Sequence, residues 1–427
     1  MEMWSYIGIG VVLLVALRFV RQLGKTIPIL ELMLLIAGLQ WIVGPLIEYA
    51  SPSLHYKYFM YVPQEQYMAF VAPAFGVFAA IILLRLKRVK GEYIKVENLK
   101  YYSKYGLTIF AIGVVFDLIG GFLPGTLGFF AFILSNFKFA GAIILYFSEN
   151  KRLKNIFYGA IAYLFLMALA KAMFHDFILW SVFFFMFWAL KFKPKVKAIL
   201  LIFALGAFFL ITLQTIKTAY RAQVWSGYSG NKVELFFSLM VDTIMNSEED
   251  APQSPTEPDN NVRLNQGWII SAVLNHIPIN QQFLEGATIS EAVYSSVLPR
   301  FLNPNKKEAG GQENFRVFTG LEISSGTSMG ISIVGEAYGN YGVSGGIMFM
   351  GLWGLFLAQM WLLFIKKIDS NLILIAFIPL IFLQVIKAET ELVVVLNHFV
   401  KSSIVVFLFF WFVKKQWKWV LVHESDS

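Results

Sequence analysis

Cysteine is absent from this chain of 427 residues, and histidine occurs only five times. The absence of cysteine excludes disulfide bonds, iron–sulfur clusters and thiolate nucleophiles. Five scattered histidines do not favour a structural metal site. The loops predicted below to lie outside the membrane contain no Asp-x-Asp motif. We therefore expect a chemistry that uses no metal and no other cofactor.

Charged residues are also scarce, at 15% of the chain, whereas 57% of the residues are hydrophobic. Soluble domains contain about 25% charged residues, and the mean hydropathy here is +0.64. The composition predicts an all-α polytopic membrane protein. A membrane-spanning helix needs roughly 20 apolar residues, and the sequence contains eleven such runs, at 4–20, 27–49, 67–86, 107–123, 127–147, 156–174, 177–192, 198–217, 345–365, 371–388 and 397–413.

Lysine and arginine mark one side of the predicted membrane. They are concentrated in alternate short loops and in the C-terminal tail, at 18–25, 85–100, 151–154, 191–197, 366–367 and 414–418. Because cytosolic loops carry the excess of basic residues, we predict an outside N-terminus and a cytosolic C-terminus. The opening "MEMWSYIG" lacks a basic leader, so the first span is expected to be retained.

One long loop divides the chain into three parts. Residues 1–217 form a predicted bundle of eight spans, 218–336 an extracytoplasmic loop, and 337–427 three further spans with a short cytosolic tail. The loop contains seven basic and thirteen acidic residues, net −6, and the rest of the chain is net +14. The overall charge of +8 therefore reflects membrane topology, and we expect no nucleic-acid partner.

Polar chemistry is concentrated in the second half of this loop. "SEEDAPQSPTEPDNN" at 247–261 contains three prolines and no basic residue, which is typical of a flexible linker. "VLPRFLNPNKK" follows and cannot form a regular helix, because two prolines interrupt it. "EISSGTSMG" then offers hydroxyls and little side-chain bulk, and "VGEAYGNYGVSGG" leads into the ninth predicted span.

The succession of "RLNQ", "HIP", "GATISEAVYSSVLPRFLNPNKK", a Ser/Gly-rich stretch and "GEAYGNYGVSGG" resembles the bacterial O-antigen polymerase class, the Wzy-type oligosaccharide repeat-unit polymerases. The resemblance covers about 263–350. It implies a fold resembling the GT-C class of glycosyltransferases, in a multi-pass protein of the bacterial cytoplasmic (inner) membrane. It also implies polymerisation of lipid-linked repeat units into an O-antigen, capsule or exopolysaccharide, with a chain-length regulator protein as a possible partner. The glycan would leave a polyprenyl pyrophosphate carrier held in the membrane lipid.

This reaction needs cations at the leaving group and a base at the acceptor hydroxyl. An imidazole titrates near neutral pH, so His276 is our candidate base, with Glu336 as the second candidate or as a group that orients the glycan. Tyr338 and Asn340 are expected to face the glycan. The candidate pyrophosphate ligands are Arg221, Arg263, Arg300, Lys306 and Lys307.

Other functions remain open at this point. An O-antigen ligase uses the same chemistry, and a lipid-linked oligosaccharide flippase or other transporter belongs to a different class. Transporters usually show internal repeats and interrupted helices, and the sequence shows no repeat between its halves. A receptor or scaffold is a third class. Inside the membrane, Asp117 and Lys138 lie on adjacent antiparallel spans, which predicts a structural ion pair.

Overall fold

The computed structural model of the protein describes residues 3–53, 55–87, 96–245, 264–297, 311–324 and 327–421. All regular elements in those ranges are helices. The α-helices, in chain order, are α1 Met3–Gln22, α2 Ile29–Gly38, α3 Gly44–Ala50, α4 Gln64–Lys87, α5 Ser103–Ile119, α6 Gly125–Ser135, α7 Phe137–Tyr146, α8 Lys151–Lys171, α9 His175–Phe192, α10 Val196–Trp225, α11 Lys232–Met245, α12 Gly267–His276, α13 Ala287–Val297, α14 Gln312–Thr319, α15 Ile333–Ile368, α16 Ile378–Phe382 and α17 Leu392–Gln416.

Within these ranges, ten helical segments are long and apolar enough to cross a membrane. They correspond to ten of the eleven predicted spans, so an all-α polytopic membrane protein is confirmed. The segments are Met3–Gln22, Ile29–Ala50, Gln64–Leu86, Val96–Phe122, Leu127–Tyr146, Lys151–Lys171, His175–Phe192, Val196–Trp225, Ile333–Ile368 and Leu392–Gln416.

The predicted span at 371–388 is not a continuous helix. It begins as a 3₁₀-helix at Leu372–Phe377, continues as the short α16 and then runs through turns to the start of α17. Pro379 lies in the first turn of α16 and cannot donate a backbone hydrogen bond. Non-helical backbone is tolerated at membrane depth only where protein or a cavity surrounds it, and this segment is buried almost throughout.

Side chains add hydrogen bonds to the backbone carbonyl groups of this broken segment. Trp41 Nε1 donates to the Ala388 carbonyl at 3.3 Å, and His398 Nε2 lies 2.8 Å from the Leu380 carbonyl oxygen. The Thr390 hydroxyl donates to the Lys387 carbonyl at 2.8 Å. These bonds supplement the backbone hydrogen bonds that remain in the segment, such as Ile386 N–H to the Phe382 carbonyl at 3.2 Å.

The fifth predicted span is also interrupted, at Asn136, where α6 ends and α7 begins. Helix α7 packs closely along α5. A Cβ atom on Gly113 would overlap the backbone nitrogen of Lys138, and one on Gly141 would lie 2.7 Å from the Phe110 Cα. Small residues permit such close approach of membrane helices, and this approach places Lys138 beside α5.

The second half of the long loop folds back onto the helical bundle. Helix α12 is buried along nearly its whole length, and α13 packs along α17. A π-helical turn at Leu39–Val43 interrupts the second span, and the Gln266 backbone N–H donates to the Gln40 carbonyl in that turn at 3.1 Å. The loop is therefore joined to the membrane helices, whereas the predicted linker at 247–261 lies outside the described residues.

The orientation of the chain can be tested with single cysteines. Helices α15 and α17 both end in a pair of lysines, so the broken segment between them must cross the membrane if both ends are cytosolic. We expect an impermeant thiol reagent applied to intact cells to label a cysteine at Ser254 and not one at Ser425, two positions outside the described residues. Equal labelling of the two variants would contradict this topology.

Candidate functional site

The first two turns of α15 contain three of the predicted site residues, and all three are buried. Glu336 and Asn340 are each 1% exposed, and Tyr338 is 7% exposed. Gly342, at a φ of +66°, then kinks the helix, and glycine adopts this left-handed conformation readily. In this structure the three side chains contact other protein groups, and their roles toward a glycan stay predictions.

Asn340 holds the returning loop against α15. Its Oδ1 accepts the Gly286 backbone N–H at 3.0 Å, and its Nδ2 donates to the Thr288 hydroxyl at 2.8 Å. Nδ2 also donates to the Glu336 carbonyl at 2.8 Å. The backbone N–H of Leu284 adds a bond to the Gly339 carbonyl at 3.0 Å. A segment more than fifty residues earlier in the chain is thus fixed to the opening of this helix.

The side chain of Glu336 in α15 contacts the N-terminus of the last span, α17. Its Oε2 accepts the backbone N–H of Leu392, the first residue of α17, at 2.8 Å. The first N–H groups of a helix have no partner within the helix, and a carboxylate there is also favoured by the helix dipole. The neighbouring Glu391 is 2% exposed and accepts a hydrogen bond from Asn314 Nδ2. Two buried carboxylates therefore tie α14 and α15 to α17.

The sequence predicts that His276 ends a helix, because Pro278 follows closely, and His276 is the last residue of α12. The Tyr338 hydroxyl donates to the carbonyl of the next residue, Ile277, at 3.2 Å. A Cβ atom on Gly320 would lie only 2.6 Å from His276 Nδ1, so the imidazole rests directly against the turn that follows α14. His276 is partly exposed.

A polar groove of about 370 Å³ lies beside this turn. Its lining residues come from α14 and from the extended segment that follows it: Gln312, Glu313, Arg316, Glu322 and Ile323. Arg316 stands one helical turn before Gly320, the residue that contacts His276. The groove therefore combines a guanidinium and two carboxylates close to the candidate base. Arg316 and the two glutamates were not among the predicted site residues.

Arg221 lies at a different place, where side chains cap the C-terminus of α8. Its Nε donates to the Ala172 carbonyl at 3.0 Å, and Lys232 Nζ donates to the Ala170 carbonyl at 3.1 Å. The Tyr220 hydroxyl and Trp225 Nε1 donate to the two remaining carbonyls of this turn, Leu169 and Lys171. The last carbonyls of a helix need such partners, so a structural role accounts for this arginine.

This capping role makes a prediction for Arg221. Replacement by alanine should lower the free energy of unfolding by about 1 kcal/mol, the net contribution of a typical hydrogen bond. Tyr220→Phe, which removes a neighbouring cap, should have a similar effect. Thermal unfolding of the purified variants measures both changes. A normal unfolding midpoint with a slower reaction in Arg221→Ala would instead support the predicted pyrophosphate contact.

The remaining predicted cations, Arg263, Arg300, Lys306 and Lys307, lie outside the described residues. Their roles stay predictions from the resemblance.

The predicted intramembrane ion pair is confirmed. Lys138 Nζ lies 2.7 Å from Asp117 Oδ1, and the Tyr163 hydroxyl donates to the other carboxylate oxygen. A second group of charges lies at the end of the broken segment. There Lys387 interacts electrostatically with Asp176 and Glu389. Lys387 and Glu389 are neighbours in the sequence, and the fold brings Asp176 to them.

Comparisons with protein-family models, with curated proteins and with solved structures found no match to this chain.

Proposed function

We propose that the protein is a membrane glycosyltransferase that joins lipid-linked oligosaccharide repeat units into a surface polysaccharide. One observation supports this proposal most directly. The returning loop that contains His276 and the opening turns of α15 are hydrogen-bonded to each other beside a polar groove. These are the same segments that carry the resemblance to repeat-unit polymerases. A loop fixed to the ends of apolar helices suits a substrate with a polar glycan and a lipid tail.

The proposed reaction transfers a glycan between two lipid-linked molecules. His276 takes the proton of an acceptor sugar hydroxyl, and the hydroxyl oxygen forms a bond to the anomeric carbon of the growing chain. The bond from that carbon to the polyprenyl pyrophosphate breaks, and the pyrophosphate leaves with the electron pair. Cationic side chains stabilise the charge that develops on this leaving group, with Arg263, Arg300, Lys306 and Lys307 as the candidates.

A transporter of lipid-linked oligosaccharides is the second candidate function, and the interrupted helices favour it. The break at Asn136 and the broken segment before α17 are features that transporters use around a substrate site. Charged residues also lie near the second break. The ordered polar groove next to His276 favours the glycosyltransferase, because alternating access does not need a chemical base in an outer loop.

Reconstituted protein separates these functions. Purified protein in liposomes, supplied with lipid-linked repeat units, should produce a ladder of lipid-linked glycans that differ by one repeat unit. An O-antigen ligase would need a lipid A core acceptor, so the ladder should form without one. Movement of the oligosaccharide across the bilayer without any increase in chain length would support the transporter and contradict the polymerase.

A further inference from the structure

The short outer loop between α3 and α4 is rich in aromatic residues and is joined to the groove. Residues His55–Tyr61 read "HYKYFMY". Lys57 Nζ donates to the carbonyl of Glu322, one of the groove-lining residues. Tyr61 N donates to the Ser271 hydroxyl of α12 at 3.0 Å. Two outer segments that are distant in sequence therefore meet at one edge of the groove.

Three rings in this loop form a stack. The His55 ring lies 4.2 Å from the Tyr58 ring at an interplanar angle of 16°, and 4.6 Å from the Tyr56 ring at 26°. Tyr58 also packs edge-on against Trp268 of α12, with ring centroids 4.9 Å apart. The base of the stack is thus fixed to the protein, whereas Tyr56 at its outer end is 71% exposed.

Hydrogen bonds fix the histidine at the centre of the stack. His55 Nδ1 accepts the backbone N–H groups of Lys57 at 3.1 Å and of Tyr58 at 3.3 Å, which requires an unprotonated Nδ1. Burial of the ring, and then the charge of Lys57, lowers the pKa of His55. The ring is therefore neutral at neutral pH, and its hydrogen bonds hold the loop with Tyr56 exposed.

Two of the charged groups that line the groove have no competing partner among the described residues. Among the described residues, neither the Arg316 guanidinium nor the Glu322 carboxylate has a hydrogen-bond or ion-pair partner, and both side chains are exposed. Carboxylates accept and guanidinium groups donate several hydrogen bonds at fixed geometry. A ligand with many hydroxyl groups satisfies both kinds of group.

We infer that Tyr56 and the adjoining groove, with Arg316 and Glu322, form a carbohydrate-binding subsite. A pyranose presents C–H bonds on one face and hydroxyl groups around its edge. The electron-rich face of an aromatic ring attracts the C–H face, while the charged groups bind the hydroxyls. The subsite rests on the proposed function for its substrate, which would be the acceptor repeat unit. Gly320, which contacts His276, lies between Arg316 and Glu322 in the chain, so the subsite adjoins the turn against which the candidate base rests.

Binding of free oligosaccharide tests the subsite without requiring catalysis. The probe is the repeat-unit oligosaccharide released by mild acid from the lipid-linked precursors of the source bacterium, added to protein in nanodiscs. Ligand-observed NMR titration should give a Kd about tenfold weaker for Tyr56→Ala than for the parent. Tyr56→Phe, which keeps the ring, should stay within about twofold. Arg316→Gln and Glu322→Gln should each weaken binding about threefold to tenfold.

Control variants separate loss of the subsite from loss of the fold. Tyr294 on α13 is 64% exposed and does not line the groove, so Tyr294→Ala should bind like the parent. All variants should keep the parent's thermal unfolding midpoint, because the substituted side chains are exposed. An unchanged Kd in Tyr56→Ala, or no saturable binding by the parent, would overturn the inference.

An elongation assay on the same variants separates this inference from the proposed function. Tyr56→Ala should raise the acceptor KM about tenfold with a smaller change in kcat. Elongation by Tyr56→Ala with an unchanged KM would contradict the subsite and still support the polymerase. If the parent protein binds the oligosaccharide in a way that depends on Tyr56 but never elongates it, the subsite is supported and the polymerase is contradicted.

Discussion

Replacing His276 with alanine should slow the elongation of lipid-linked glycans about 10²–10⁴-fold, the usual contribution of a general base. The imidazole stands at the end of α12 against Gly320, beside the groove, and it is partly open to solvent. Because an imidazole accepts a proton only in its neutral form, the parent rate should fall at acidic pH. That acid limb should disappear from the pH–rate profile of His276→Ala.

The neighbouring Asn275 supplies a matched control for this variant. It is an exposed polar residue in the same last turn of α12, so Asn275→Ala should keep the parent rate within about twofold. Both variants should be expressed and unfold like the parent. If the acid limb persists in His276→Ala, His276 is not the base. If the acid limb is lost in Glu336→Gln, the carboxylate is the base.

The membrane-spanning helices could be predicted from the sequence because each depends mainly on its own composition. Twenty apolar residues bury their backbone groups in a helix regardless of what surrounds them. The broken segment before α17 has an equally apolar sequence, so hydropathy predicted a helix there as well. Its actual form depends on Trp41 and His398, which belong to other spans and provide the hydrogen bonds that a helix would otherwise supply.

The candidate site was predictable only where a local signal existed. Pro278 indicated that His276 ends a helix. The adjacent apolar run placed Glu336 just before the ninth span, whereas α15 begins at Ile333 and includes it. The groove had no such signal, because one edge of it depends on a bond between Lys57 and the carbonyl of Glu322, 265 residues apart. The hydrophilic residues around Arg316 look like an ordinary solvated helix until the fold brings His276 and the aromatic loop beside them.

The burial of Glu336 also depends on residues that are distant in the sequence. The resemblance to repeat-unit polymerases implies that this carboxylate faces a glycan. The structure places the N-terminus of α17 over this side chain, and helix ends that are separated by more than fifty residues cannot be paired from sequence spacing. Glycine in this stretch serves close packing, since a Cβ atom on Gly339 would overlap the Phe318 ring.

Replacing Glu336 with leucine should therefore destabilise the protein strongly, whereas Glu336→Gln should change its stability little. The carboxylate accepts the Leu392 backbone N–H and also hydrogen-bonds the Thr288 hydroxyl. Leucine has no acceptor, and each buried donor left unpaired costs about 1–3 kcal/mol. Glutamine keeps one oxygen of the same shape in the same place and can still accept the Leu392 N–H.

Thermal unfolding in nanodiscs and the elongation assay together test this role. If Glu336 acts as a cap of α17, the Glu336→Gln variant should keep an unfolding midpoint close to that of the parent and most of the elongation rate. The Glu336→Leu variant should unfold at a clearly lower temperature. A catalytic base would behave differently, because glutamine cannot accept a proton at the pH of the assay and the rate would fall about 10²–10⁴-fold at unchanged stability. Equal midpoints for the leucine and glutamine variants would refute the capping role, because the loss of the acceptor for Leu392 would then have no effect on the fold.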